Sequence, residues 1–284
     1  MRIGIGLPTV LPSVPGPAVL DWARRAEARG FSTLGVIDRI AYPNFEPMTA
    51  LAAAAGATGT IGLMTDVLLG PTRDPVLLAK QSASLAQLSG GRFTLGLGVG
   101  AREDDYAVVG RDFHARGREA DRGLAVMDAV WRGEAPDGTV RTSAPLAGGL
   151  GRPRLMIGGS SEASMRRIVR WGDGWTASSS VGAALEALVG RVRRAWRDAG
   201  REGAPRISVL TYFAIGEDPR AAAFLLDYYG PQRGAALAES LPTTEDELRA
   251  TARRLEDAGV DEMVTFPTLP EIDQVDRLAD VLLR

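Results

Sequence analysis

Residues 71–100 read PTRDPVLLAKQSASLAQLSGGRFTLGLGVG. Asp74 is placed to cap a helix whose first residue is Pro75, because proline lacks the N–H that a first turn cannot use. Apolar residues at Val76, Leu77, Ala79, Ala83, Leu85 and Leu88 then fall at helical spacing. Gly90-Gly91 stops the helix. An apolar strand over 93–99 follows, with glycines at 96, 98 and 100. Glycine carries no side chain, so a planar ligand is expected to lie against the backbone there.

Working outward, the same alternation recurs. Strands are predicted over 3–7, 33–37, 61–69, 92–99, 154–157, 174–177, 206–215 and 262–266. Helices are predicted over 17–29, 47–57, 75–89, 116–132, 161–171, 183–199, 219–229, 243–258 and 271–283. A polar loop spans 101–115, and 133–153 reads as a Gly- and Pro-rich surface excursion. Alternating β and α signals imply a parallel sheet. Eight such units within 284 residues favour a closed (β/α)8 TIM barrel, one domain over 1–284, rather than an open doubly wound sheet. The glycines of GLGVG lie inside a strand and not before a helix, so they make a poor dinucleotide fingerprint.

Composition narrows the chemistry. The chain is 45% apolar, enough for a sizeable core, and its net charge is −2 with no basic block, which argues against a nucleic-acid surface. No apolar run is long enough to span a bilayer and no signal-peptide pattern opens the chain, so a cytoplasmic protein is expected. It has no cysteine, one histidine (His114) and one lysine (Lys80). A cysteine nucleophile and a Cys- or His-rich metal site are thereby excluded, and no metal site is expected. Lys80 falls mid-helix, away from the strand ends where barrel catalysis takes place. An enzyme so supplied is expected to borrow its reactivity from an organic cofactor and to act on a small-molecule substrate.

Several positions carry two readings each. Gly158-Gly159-Ser160-Ser161 begins a helix with free N–H groups and two hydroxyls, which suits a phosphate or an ordinary cap. Asp66 interrupts the apolar run IGLMTDVLLG, so it faces a polar cavity or pairs with an arginine. Asp38 and Arg39 close the second strand, either as a structural ion-pair network or as candidate catalytic groups. A guanidinium holds an anion but does not trade protons near neutrality. Glu103, Asp104, Asp105 and Tyr106 follow the fourth strand on the rim, as ring or substrate contacts, with Glu103 a third candidate catalytic group, or as a solvated loop. His114 reads as a surface or capping residue, and Trp171 and Trp175 as packing.

The stretch over 74–100 also resembles the third-helix-to-fourth-strand segment of the bacterial luciferase-like superfamily. The resemblance extends to AEARGFSTLGVIDR at 26–39, RPRLMIGGSSEASMRRIVRWGDGW at 152–175 and ARRLEDAGVDEMVTF at 252–266. It implies a (β/α)8 oxidoreductase or monooxygenase using reduced FMN and O₂, with hydride transfer from the deazaflavin coenzyme F-420 as the alternative. A non-catalytic flavin-binding protein and a lyase on the same barrel are further alternatives. It implies cofactor contacts at Asp66, Val67, Gly98, Val99, Gly158, Gly159, Ser160, Ser161 and Ala163, with the phosphate at 158–163 and Gly98 beside the ring. It also places a non-prolyl cis peptide at Asp66–Val67. Many relatives show Asp-His where this chain has Asp38-Arg39. Some set a basic side chain where Val99 stands, a contact that Arg102 is expected to replace. A homodimer through the second and third helices is implied, MTALAAAAGAT at 48–58 being rich in small residues. A separate flavin reductase is a partner that the reduced-FMN reading admits.

Overall fold

The computed structural model describes residues 1–134, 152–178 and 184–283. Among these residues nine parallel strands run β1 (Arg2–Gly6), β2 (Thr33–Val36), β3 (Gly62–Thr65), β4 (Leu68–Leu69), β5 (Phe93–Gly98), β6 (Arg154–Gly158), β7 (Gly174–Ser178), β8 (Arg206–Phe213) and β9 (Glu262–Pro267). They pair in the order β3-β2-β1-β9-β8-β7-β6-β5-β4, and β3 also pairs with β5, which closes the sheet. Because β3 and β4 together form one stave, the result is the eight-stave (β/α)8 barrel expected from the alternation.

The helices are α1 (Gly16–Ala28), α2 (Pro47–Ala57), α3 (Pro75–Leu88), α4 (Asp104–Ala107), α5 (Arg116–Trp131), α6 (Glu162–Trp171), α7 (Leu185–Asp198), α8 (Pro219–Tyr229), α9 (Pro231–Glu239), α10 (Glu245–Asp257) and α11 (Asp273–Leu282). Asp74 caps α3 as its position predicts, accepting from the Leu77 N–H at 2.9 Å. The apolar faces of the outer helices pack on the strands in one continuous core that includes Trp22, Leu51, Leu78, Trp131 and Trp175.

Two helices differ from the sequence reading. The polar loop over 101–115 contains the single turn α4, and a second helix, α9, follows α8 directly. Gly230, at φ 79°, turns the chain between α8 and α9. Gly234 lets them close: a Cβ there would lie 2.4 Å from the Leu225 carbonyl oxygen. Of the excursion predicted over 133–153, residues 135–151 lie outside the described residues, as do 179–183, which include the first residue of the helix predicted over 183–199.

The third stave is not the single strand predicted over 61–69. Met64 is level with Thr94 and Leu68 with Leu97, so four steps along one edge face three along the other. The extra residue makes a bulge at 65–67, where the Asp66–Val67 peptide is cis. The Asp66 N–H donates to the Val36 carbonyl at 2.7 Å, which ties the bulge to β2. The glycines of β5 are cut to fit this bulge. A Cβ at Gly96 would lie 1.9 Å from the Thr65 carbonyl oxygen, and one at Gly98 would lie 2.6 Å from Val67 Cγ2. One at Gly100 would lie 2.8 Å from Leu69 Cδ2. The alternate glycines answer alternate residues 65, 67 and 69. The glycines thus make room for the bulge, while Gly98 and Gly100 also line the cleft described below.

Candidate active site

Parallel barrels carry their polar openings where the strands end, because loops there are free to vary over a fixed frame. The ends of β5, β6 and β7, the bulge and α9 enclose such a cleft, with about 410 Å³ accessible to water. Seven of the residues predicted as cofactor contacts line it together: Asp66, Val67, Gly98, Val99, Gly158, Gly159 and Ser160. Val67 is the wall between the strand ends. Its two methyls fill the space over Gly98 and Gly158, where a Cβ would approach to 2.6 and 3.1 Å. Gly98 therefore borders the cleft, and its small size serves Val67.

Asp66 is the charged group at the floor. It is 5% exposed. The Thr176 hydroxyl donates to its Oδ1 at 2.6 Å, while Oδ2 has no hydrogen-bond partner. Burial pushes its carboxyl up to about 7; the Thr176 bond opposes that shift and the Glu262 charge adds to it. Of the two readings of Asp66, the polar cavity is the one found, since among the described residues no arginine pairs with it. A buried carboxyl with one free oxygen that titrates near neutrality can hand a proton to a bound group or take one from it.

At the other side of the cleft the chain turns from β6 into α6. The Ser161 hydroxyl caps α6, accepting from the Ser164 N–H at 3.2 Å and pairing with the Ser164 hydroxyl at 3.0 Å. Ser161 and Ala163 sit in the cap and first turn and do not line the cleft. Gly159, at φ 104°, makes the turn. Its carbonyl accepts from the Trp175 indole N–H at 2.8 Å. Trp175 thus packs in the core, as expected, and also fixes the turn. The first-turn N–H groups that the cap leaves open make this end attractive to an anion.

The three candidate catalytic residues lie elsewhere. Asp38 accepts from the Leu69 N–H at 2.8 Å and from Arg73 at 2.6 Å. Arg39 donates to Asp105 at 2.7 Å, to Asp104 at 3.0 Å and to the Tyr228 carbonyl at 2.9 Å. Asp105 accepts in addition from the N–H groups of Ile40 and Ala41. These pairs are the structural network weighed for Asp38 and Arg39, and they fasten the loop after β2 to α4. Glu103 precedes α4 on the surface. None of the three lines the cleft. Arg102, expected to face the phosphate, is held by Asp104 at 2.7 Å and does not line the cleft either. His114 is exposed, as expected.

Sequence reasoning missed Thr176, Leu210 and Arg233. The Thr176 signal was present, a hydroxyl within an apolar strand. Arg233 had none, because α9 itself was unforeseen. A Tyr212–Tyr229 hydroxyl pair stands beside Arg233, with burial raising both phenols above their usual range. Gly98, Val99 and Gly158 also border a slot beneath α5, but it holds only about 30 Å³ accessible to water. Among the described residues no group of three or more Asp, Glu or His side chains is placed to hold a metal ion. None of their helices is long and apolar enough to cross a membrane.

The profile of the luciferase-like monooxygenase family matches residues 1–279. An uncharacterized protein of Mycobacterium tuberculosis is 34% identical over 222 residues, covering 66% of this chain and 75% of the relative. Among solved structures, an F-420-dependent secondary alcohol dehydrogenase in complex with an F-420–acetone adduct superposes with a TM-score of 0.81. It is 17% identical, and the match covers 99% of this chain and 98% of the other. A monooxygenase from Streptomyces bottropensis superposes with a TM-score of 0.76 at 20% identity, covering 100% of this chain and 99% of the other. At such identities the two structures speak for the barrel alone.

Proposed function

The chain belongs to the luciferase-like monooxygenase family, an oxidoreductase family, and from that premise we propose that it binds reduced FMN in the cleft and uses O₂ to oxygenate a small organic substrate. The observation that carries this reading is the cleft itself. It joins a buried carboxyl with one unpartnered oxygen, an aliphatic wall at Val67 and the opening turn of α6. Those three features suit a flat heteroaromatic ring with acceptor atoms on its edge and a phosphate on its side chain. A reduced flavin supplies two electrons to the substrate or to dioxygen. Val67 would support the ring, Asp66 would hold or move a proton at its Oδ2, and the start of α6 would hold the phosphate.

Hydride transfer from coenzyme F-420 is the second reading. It draws on Asp66, because reduction of a carbonyl needs one proton for each hydride. It has no help from position 39, where the guanidinium is tied to two carboxylates. A relative named 5,10-methylenetetrahydromethanopterin reductase, from Methanolobus tindarius, is 26% identical over 216 residues, covering 75% of this chain and 65% of the relative. In either case the working unit proposed is a homodimer formed through α2 and α3; in the first, a separate flavin reductase supplies the reduced FMN.

Anaerobically reduced FMN mixed with oxygenated buffer tests the first reading. Saturating protein is expected to change the rate of flavin reoxidation, and Asp66→Ala to change it again. Reoxidation at the rate of free flavin contradicts this reading. Oxidation of reduced coenzyme F-420 by a carbonyl compound without O₂ favours the second.

A further inference from the structure

A phosphate brought into a partly enclosed cleft needs more than the fractional charge of one helix end. The cleft contains one cation among its described lining residues, Arg233. Gly234 beside it packs directly against the Leu225 carbonyl, so the α8–α9 hairpin fixes where Arg233 starts. The guanidinium lies over the Tyr229 ring, 4.7 Å from its centroid. Among the described residues its one hydrogen bond is a long one, 3.4 Å to the Ser178 hydroxyl. Among the described residues no carboxylate pairs with it.

Nearby arginines are committed elsewhere. Arg102 is paired with Asp104, Arg167 with Asp121 and Arg191 with Glu162. Arg111 borders the slot beneath α5 and does not line the cleft. An arginine resting on an aromatic ring inside a cleft, without an acidic partner, is oriented yet still able to take an anion. The buried, unpartnered Asp66 oxygen in the same cleft independently points to a bound ligand.

We infer that Arg233 is the counter-charge for the cofactor phosphate, acting from α9 together with the opening turn of α6. This rests on the cofactor reading given above. It replaces the expectation that Arg102 makes this contact.

Two ligands that differ only in the phosphate isolate the effect. FMN and riboflavin are titrated against the full-length protein by flavin fluorescence, for the wild type, Arg233→Gln and Arg233→Lys. Wild type is expected to favour FMN. Arg233→Gln is expected to lose about ten- to a hundredfold in FMN affinity, the worth of a charge-assisted contact, with riboflavin affinity unchanged. Arg233→Lys is expected to recover part of the preference. Arg233 is exposed at the start of α9, so circular dichroism melting is expected to match wild type. If the protein takes coenzyme F-420 instead, the pair is the deazariboflavin of F-420 and its 5′-phosphate. A wild type that binds neither cofactor overturns the cofactor reading and this inference with it. A wild type that binds FMN, with an FMN-to-riboflavin ratio unchanged in Arg233→Gln, overturns this inference alone.

Discussion

Asp66 combines a structural liability with chemical use. Burial holds its carboxyl near 7, so the folded protein keeps a proton that the unfolded chain sheds near pH 4. Between about pH 4 and 7 the folded state binds more protons than the unfolded state. This group's contribution is therefore most favourable at the acid end and is lost as pH rises through 7. Asp66→Asn removes the titration. Thermal melts from about pH 5 to pH 8 are expected to show the Asn variant gaining on the wild type as pH rises; a difference independent of pH contradicts the neutral, buried Asp66. Gly98 is tested beside it. Gly98→Ala sets a methyl 2.6 Å from Val67 Cγ2 and is expected to cost about 1–3 kcal/mol in urea unfolding, as overpacking does. Val67→Ala in the same chain is expected to relieve most of that cost. An additive loss in the double variant contradicts the fit between them.

At the scale of elements, the least foreseen is the most firmly tied. The turn α4 looked like a solvated acidic loop, because a run of Glu and Asp with one aromatic has no periodicity. Asp105 is nonetheless buried against Arg39, and the Tyr106 hydroxyl donates to the Val99 carbonyl at 2.5 Å. Sequence spacing carries no sign of the partner, since Arg39 lies 66 positions away. Local patterns fared better. The Asp74-Pro75 cap, the glycine stop after α3 and the β5 strand are all decided by neighbours in sequence, and all are found. The glycines of β5 were legible as unusual, but their cause lies across the sheet in residues 65, 67 and 69. Asp105→Ala leaves a buried guanidinium and the Ile40 and Ala41 N–H groups short of an acceptor. It is expected to cost about 3–5 kcal/mol. Asp104→Ala, at a half-exposed pair, is expected to cost about 1 kcal/mol or less. Equal losses by chemical denaturation contradict this division of labour.

For the whole molecule, the barrel was readable because eight repeats of one pattern leave few ways to close a sheet. The cleft was half readable. Its β6 and bulge residues carry motifs, whereas Arg233 comes from a hairpin whose place is set by tertiary packing. The outer surface bears on assembly. Leu77 and Leu88 on α3 are 55% and 80% exposed, and they border a groove between α2 and α3. Leu88→Arg is expected to shift the proposed dimer toward monomer in light scattering at micromolar concentration, while Ile272→Arg is expected to leave it intact. A wild type that stays monomeric as concentration rises contradicts the dimer. The central claim is that the cleft between Asp66 and the start of α6 holds a phosphate-bearing flavin or deazaflavin. It is tested most directly by titrating FMN and coenzyme F-420 into the wild type and Ser160→Glu. One of the two cofactors is expected to bind the wild type saturably, and the glutamate to weaken it by about ten- to a hundredfold, since a carboxylate beside a phosphate costs on the order of 1–3 kcal/mol in a partly shielded site. Binding of either cofactor that is indifferent to Ser160→Glu, or binding of neither, contradicts the account.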